Sequence, residues 1–307
     1  MPHKVKLILN PMADMGNAWK VARDLRSIVQ EFKGDISWSG TVYPTHAQEL
    51  AKQAAAEGCD MVIALGGDGT VHEVANGLMQ VPENKRPILG VVPIGSGNDF
   101  AYAMGLPKNP DAALVHALAA QNISAIDMGL LREENGRQEY FDNTLGAGFD
   151  SVVTIRSHKL PILRGFVMYL AAVIQTILLN HNPIHVKYET DRETWEDDTL
   201  MTTVCNGPRE GGGFMISPDS KNDDGEMQFL TVKKVSRLTM FRLVPEFMKG
   251  THLRFKQTRL STFKKMRMTA NGPLYIHLDG EIFSGFGSNV RDITVEVLPK
   301  ALKVVRG

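Results

Sequence analysis

Cysteine is scarce in this chain of 307 residues: Cys59 and Cys205 are the only two. They lie far apart, and neither has a Cys or His at metal-ligand spacing, which argues against a disulfide scaffold or a zinc module and for a reducing compartment. Net charge is missing too. The 34 Lys and Arg balance 34 Asp and Glu, so no overall positive field draws the chain to nucleic acid, which is not expected as a partner, and binding to an anionic surface has to be local. Long hydrophobic runs are absent. The greasiest stretch, Gly165–Leu179, has 15 residues without a charge, against about 20 for a membrane span; it reads as a buried or membrane-touching helix. No secretory leader is expected, because the apolar run at 5–9 is short and leads into Asn10-Pro11 rather than a small-residue cleavage site. At 43% hydrophobic and 22% charged residues, the remainder is ordinary folded-protein usage, enough for one large or two medium domains.

Short apolar or alternating runs at 5–9, 36–43, 61–65 and 88–92 are separated by segments with helical spacing. Between the first two, Ala18, Ala22, Leu25, Val29 and Phe32 fall on one helical face. Thr45 reads as an N-cap ahead of Ala47, Leu50, Ala51 and Ala54. Strands joined this way are most simply parallel, with helices on both faces and ligand loops at the strands' carboxyl ends. From about residue 128 the texture changes. A helical candidate at 160–179 precedes β-rich runs at 184–188, 199–205, 228–232, 253–260 and 293–298, which predict a mostly antiparallel second domain. Acidic residues cluster at 189–198. Over 249–267, Lys249, Arg254, Lys256, Arg259, Lys264, Lys265 and Arg267 occur without any Asp or Glu. This basic segment reads either as a solvated strand face with Leu253 and Phe255 turned inward, or as a patch for anionic lipid headgroups.

Two polar glycine loops follow neighbouring strand candidates. The first is Gly66-Gly67-Asp68-Gly69-Thr70, then Val71 and His72 in a helical pattern; the second is Pro93-Ile94-Gly95-Ser96-Gly97-Asn98-Asp99-Phe100-Ala101. Glycines let a phosphate approach the backbone and meet amides at a helix N-terminus. Asp68 cannot bind phosphate directly, but it can hold Mg²⁺, or water on Mg²⁺. Either loop alone could be a plain β-to-α turn. Together they are far more specific.

This pair of loops resembles the catalytic domain of the diacylglycerol kinase family, which includes bacterial soluble lipid kinases and sphingosine kinases. Further landmarks carry the resemblance along nearly the whole chain: Asn10-Pro11, Thr45, Asp127-Met128-Gly129, Asn143 with Gly148-Phe149-Asp150, Asp223-Asp224-Gly225 and Asp279-Gly280-Glu281. It implies an α/β protein with a doubly wound, NAD-kinase-like nucleotide-binding domain at 1–127, to which 300–307 returns, and a β-rich, antiparallel, sandwich-like lipid-substrate domain at 128–299. It also implies ATP and Mg²⁺ as cofactors, with ATP between the domains on Asn10, Pro11, Thr45, Gly66, Gly67, Asp68, Gly69, Thr70, Val71, His72, Ser96 and Asn98. Glu281 aligns with the family's general base, and Asp68 with the organiser of Mg²⁺ through water. Asp99 is carried over as a further catalytic carboxylate; Asp99 and Asp127 either share the magnesium-water network or serve as a helix cap or turn former. Lys221, Asp224 and Glu226 match a second, structural Mg²⁺ site held partly by carbonyls; the same stretch also reads as a solvated acidic turn. One departure stands out. Where the family has a small hydroxyl residue, glycine and a basic residue after Asn-Pro, this chain has Met12-Ala13-Asp14-Met15-Gly16-Asn17, and Lys20 or Arg23 is left to supply the cation.

The first glycine loop is shared with NAD kinases, so alone it marks phosphoryl transfer and no acceptor. The second is the lipid-kinase version, and the apolar segment 162–179 suits an acyl-chain acceptor, although a plain core helix reads equally well there. The expectation is an ATP-dependent lipid kinase acting on a lipid hydroxyl such as that of diacylglycerol, cytoplasmic, peripherally bound at the membrane surface and, by family analogy, a homodimer. An NAD kinase, or a non-catalytic nucleotide- or lipid-binding regulator of the same fold, is the alternative.

Overall fold

The computed structural model describes residues 2–160 and 165–307. The chain divides into two units, Met1–Ile126 with Lys300–Gly307, and Asp127–Pro299. In the first, the elements run β1 (Lys4–Leu9), α1 (Ala18–Asp24), α2 (Arg26–Glu31), β2 (Asp35–Gly40), α3 (His46–Ala56), β3 (Met61–Gly66), α4 (Asp68–Met79), β4 (Ile88–Pro93), α5 (Asp99–Ala103) and α6 (Pro110–Ala119). The strands are parallel in the order β2, β1, β3, β4. β1 and β3 are buried on both faces, as a sheet covered by helices on both sides requires. Val5, Leu7, Leu9, Met61, Ile63 and Leu65 pack under Ala18, Ala22, Leu25, Leu114 and Ala117 of the α1, α2 and α6 side. The intervening Ile8, Val62 and Ala64 are fully buried too, on the side where α3 packs on β1 and α4 on β3. The chain runs from β1 outward to β2, then returns to place β3 on β1's other side. The order therefore reverses between β1 and β3, which makes their carboxyl ends the open crevice of this doubly wound sheet.

Thr45 does not cap α3 with its side chain. It sits in the left-handed region at φ 71°, and the cap comes from α4, where Glu73 accepts the Thr45 and Ala47 amides at 2.8 and 3.0 Å.

The second unit holds β5 (Ile123–Glu133), which begins in the first, then β6 (Gln138–Phe141), β7 (Thr144–Gly148), α7 (Phe149–Ser157), α8 (Gly165–Leu179), β8 (Ile184–Thr190), β9 (Thr194–Cys205), β10 (Met227–Lys233), α9 (Arg237–Lys249), β11 (Thr258–Phe263), β12 (Lys265–Ala270), β13 (Ile276–Leu278), β14 (Glu281–Ser284) and β15 (Asp292–Val305). Its pairings are antiparallel. β9 pairs with β8 along its first half and with β7 along its second, while β10 lies on its other edge. Tyr188, Phe229, Phe263, Met266, Ile276 and Val295 fill the inner core. Helices α7, α8 and α9 cover Leu200, Leu230 and Val232 of β9 and β10. The end of β15 belongs to the first unit, where Val304 pairs in parallel with Leu89 of β4.

Two readings need correcting. The strand expected at 253–260 begins only at Thr258. His252–Arg254 is a 3-10 turn instead, because His252 stacks on Phe247 at 4.1 Å between centroids and Arg254 pairs with Glu246. Leu253 therefore faces solvent, and Phe255 is half-buried beneath the guanidinium groups of Arg242 and Arg254. The basic segment is also less free than its sequence implies, since Arg259 pairs with Glu193 and Arg267 with Asp292. Of the apolar segment expected at 160–179, residues 161–164 lie outside the described residues, and Gly165–Leu179 is helical.

Candidate active site

Three loops leave the carboxyl ends of β1, β3 and β4 and touch one another within the first unit. The Asn10 amide bonds Leu65 O at 3.0 Å, and Asn10 Nδ2 donates to Thr70 Oγ1 at 3.1 Å. Gly66 accepts the Ile94 amide at 2.8 Å. The two glycine loops are in backbone contact: a Cβ on Gly95 would lie 2.3 Å from Gly67 Cα, and one on Gly66 would lie 2.3 Å from Thr70 Oγ1. Neither position has room for a side chain. Asn98, at φ 53°, closes the second loop by accepting the Gly95 amide at 2.9 Å and donating to Gly95 O at 2.7 Å.

Asp68 opens α4 rather than lying in a free loop, and its Oδ1 accepts the Phe100 amide at 3.1 Å, in the first turn of α5. One carboxylate thus fixes one glycine loop against the other. Asp68 and Gly69 lie in the first turn of α4, and a helix N-terminus suits an anion. Thr70, Val71, His72 and Asp99 are buried, while Ser96 and Thr45 are exposed and Asn10, Pro11 and Asn98 half-buried. Val71 and His72 therefore have only backbone to offer a ligand at the surface. Asp14 accepts from Asn17 Nδ2 at 3.0 Å, and Arg23 pairs with Asp24, so of the two cations considered for this end Arg23 is already engaged. The residues fit a magnesium nucleotide: close backbone approach, helix-end amides, and a carboxylate held in place by an amide.

In the second unit the Asp279-Gly280-Glu281 corner divides its tasks. Asp279, at φ 51°, is buried, and its carboxylate accepts the amides of Asp142, Asn143 and Thr144 at 2.9 to 3.0 Å. It anchors the corner. Glu281 begins β14 and is exposed.

Beside this corner lies a buried group that spacing in the sequence does not reveal: Asp150, Tyr169, Thr203, Glu210 and His277. His277 Nε2 is 3.1 Å from Glu210 Oε1 and 3.6 Å from Asp150 Oδ2. Asp150 accepts from Thr203 Oγ1 at 2.6 Å, and the Tyr169 hydroxyl contacts Asp150 and Glu210 at 3.1 and 3.0 Å. A Cβ on Gly146 would lie 2.1 Å from His277 Nε2, so glycine there makes room for the ring. Burial opposes a charge on His277, but Glu210 and Asp150 outweigh it and push its pKa up to about 10. Burial, and then the Asp150 charge, raise Glu210 to about 7. Asp150 goes down: burial acts upward, and the neighbouring His277 with the hydrogen bonds from Thr203 and Tyr169 overcomes it.

Donor atoms of Asp150, Glu210 and His277 lie within 4.8 Å of one another, close enough for a metal ion. The ring argues otherwise. The carboxylates favour the imidazolium, whereas the Gly280 amide, 3.3 Å from Nδ1, favours a neutral ring protonated on Nε2. In both forms Nε2 carries a proton, which a metal ion would have to displace to bind there.

Asp150 and Tyr169 also line an otherwise apolar cleft, with Phe149 and Val153 of α7, Val173 and Ile177 of α8, Leu200 and Val232 of the sheet, and Met240, Leu243 and Phe247 of α9. It encloses about 560 Å³ of empty space, solvent-open part included. Asp150 is the one charged residue among its lining residues.

The turn at 221–226 is tied to β5, since Asp127 Oδ2 accepts the Gly225 amide and the Asp127 amide bonds Asn222 O, both at 2.7 Å. Lys221 and Asp224 are exposed, and Asp224 Oδ1 accepts the Glu226 amide at 3.2 Å. The Glu226 carboxylate is paired with Arg192. A cation here would draw on Asp224 and on the carbonyls of Lys221 and Glu226, which suits a hard ion such as Mg²⁺.

No helix among the described residues is long and apolar enough to cross a membrane. The sequence pattern of the diacylglycerol kinase catalytic domain matches residues 4–131, and that of the YegS C-terminal NAD kinase beta sandwich-like domain matches 143–306. A protein of Yersinia pestis named "Probable lipid kinase YegS-like" is 32% identical over 99% of this chain and 96% of its own length. A diacylglycerol kinase of Mycobacterium tuberculosis is 28% identical over 99% of this chain and 95% of its own. The crystal structure of a diacylglycerol kinase from Bacillus anthracis superposes with a TM-score of 0.74 at 20% identity, covering 100% of this chain and 97% of that one, which shows the shared fold. A glycine-looped α/β unit followed by this antiparallel unit, matched along almost the full length, places the chain in the diacylglycerol kinase and YegS-like family of lipid kinases.

Proposed function

We propose that the protein is an ATP-dependent lipid kinase that phosphorylates a hydroxyl of a diacylglycerol-type lipid at the cytoplasmic membrane surface. Residues 1–127 with 300–307 bind the nucleotide, and 128–299 bind the lipid. The observation that carries this reading is the backbone contact of Gly67 with Gly95, locked by Asp68 on the Phe100 amide. It leaves a tight, side-chain-free cradle at the sheet's switch point, which suits phosphates better than a bulky apolar ligand. Asn10, Pro11, Thr45 and Ser96 complete the nucleotide's surroundings, with Asp99 supporting the second loop.

When bound, Mg²⁺ would supply charge neutralisation on the phosphates, and Asp68 would hold it through water. Glu281 accepts the proton of the lipid hydroxyl while that oxygen bonds the γ-phosphorus and the bond to the β–γ bridging oxygen breaks, releasing ADP. A carboxylate suffices because phosphoryl transfer depends more on positioning and charge neutralisation than on base strength. The apolar cleft takes an acyl chain, and its single charged residue, Asp150, faces the polar end of that ligand. The 221–226 turn would hold a structural Mg²⁺ through Asp224 and the carbonyls of Lys221 and Glu226.

The test is transfer of label from γ-³²P-ATP to mixed lipids in detergent micelles. Label in the organic phase is expected. Label in NADP, with NAD as acceptor, would instead make it an NAD kinase, and no transfer to either would leave a non-catalytic binder.

A further inference from the structure

Helices normally turn a polar face to water. α8 does not: it has no acidic or basic residue in its first or last turn, and its exposed positions are Val167, Ile174, Leu178 and Leu179. On α9 the exposed positions fall at helical spacing into one stripe, Arg237, Leu238, Phe241, Arg242, Pro245, Met248 and Lys249, in which cations alternate with apolar side chains and no acid occurs. Leu238 is 80% exposed and Val167 60%. The one acid of α9, Glu246, is turned to Thr251 and Arg254. The two helices pack on each other, and Arg237 Nε donates to Ile177 O at 3.0 Å, joining the start of α9 to the end of α8. Their inner faces line the apolar cleft.

We infer that the outer faces of α8 and α9 dock on an anionic lipid bilayer, with Val167, Leu178 and Leu238 entering the headgroup region and Arg237, Arg242 and Lys249 pairing with lipid phosphates. Apolar side chains that need burial and cations with flexible apolar stems are the combination an anionic interface accepts. A protein partner's apolar groove would satisfy the first and leave the cations unmatched. The assignment deepens the reading of the cleft as an acyl-chain site, because the helices that wall it are the ones that meet the bilayer. Of the sequence-basic segment 249–267 it keeps Lys249, the last residue of α9, and moves docking away from the rest, whose Arg254, Arg259 and Arg267 are paired with acids of this chain.

The test is cosedimentation of the full chain with phosphatidylcholine vesicles with or without phosphatidylglycerol. The wild type is expected to bind the anionic vesicles, and added salt to weaken binding. Leu178→Asp with Leu238→Asp, both at exposed positions, is expected to abolish it. Arg242→Ala with Lys249→Ala is expected to weaken it about five-fold per charge removed, and Arg267→Ala to leave it unchanged. Indifference of the wild type to phosphatidylglycerol, or wild-type binding by both double variants, overturns the inference. So does a wild type that leaves vesicles unbound and forms a dimer that Leu178→Asp with Leu238→Asp dissociates, which makes the face a contact with a second copy. Failure of the kinase reading is separable. Transfer to a short-chain, water-soluble acceptor should persist in both double variants, whereas vesicle binding without transfer to any lipid removes the kinase reading and leaves the docking face.

Discussion

The glycine loops of the first unit and the charged cluster of the second both hold polar groups, and they do so by opposite means. The loops are built from near neighbours in sequence, each directly after a strand, and their polar work is done by backbone amides with one carboxylate, Asp68, tying them together. The cluster draws Asp150, Thr203, Glu210 and His277, all buried, and the half-buried Tyr169 from distant segments into one place. A phosphate cradle needs open backbone, and so it can be short and local. A buried ion pair needs its partners already in place, because an unpaired charge there costs several kcal/mol.

The largest effects separate chemistry from folding. Asp68→Ala and Glu281→Gln are each expected to lower turnover by about 10² or more, measured by label transfer. Glu281→Gln should leave the unfolding midpoint in place, because Glu281 is exposed. Asp68→Ala, which removes the acceptor of the Phe100 amide, should lose about 1 kcal/mol of stability. Near-normal turnover in either variant contradicts the role given.

The second effect belongs to the cluster. His277 has a raised pKa, so its contribution is complete below about 6.5 and is lost as pH climbs through about 10. Glu210, held up near 7, costs stability as pH rises from about 4.5, where the unfolded chain ionises it, to about 7, and adds no slope above that. Both act in one direction. Thermal melts should therefore show stability falling from pH 4.5 to 7 through Glu210 and from 6.5 to 10 through His277, on the order of a few kcal/mol, and His277→Gln should flatten the upper part of that slope. An unchanged slope would remove the ion pair from the account.

Smaller still, Gly95→Ala places a methyl against Gly67 and should weaken nucleotide binding about ten-fold, roughly 1.4 kcal/mol, by calorimetric titration. Glu73→Gln, which weakens the acceptor of the Thr45 and Ala47 amides, should cost under about 1 kcal/mol in the melt and leave the charged cluster's pH slope intact.

The loops were legible in the sequence because strand, glycine turn and helix follow one another within a dozen or so residues, and glycine's lack of a Cβ is a local property. Their contact was not legible: nothing in Asp68 or Phe100 alone says that a side chain of one bonds the backbone of the other. Thr45 had the right residue type for a cap, but the cap comes from Glu73, a helix away. The strand misread at 253–260 shows tertiary contacts overriding local pattern, since Leu253-Arg254-Phe255-Lys256 alternates like a strand while Phe247 and Glu246 hold His252 and Arg254 in a turn. Asp150 appeared within Gly148-Phe149-Asp150, and His277 two residues before Asp279, yet no spacing links either to Glu210. The faint signal was Gly146, a small residue in a buried strand whose missing side chain leaves room for the His277 ring.

The most direct test follows backbone amide resonances of the full chain as MgATP is added. The largest changes are expected at Gly66, Gly67, Asp68, Gly69 and Gly95 to Asn98, and Gly95→Ala should diminish them. Changes confined to other segments, with those amides unmoved at saturating nucleotide, would contradict the central claim that these two loops form the nucleotide's cradle.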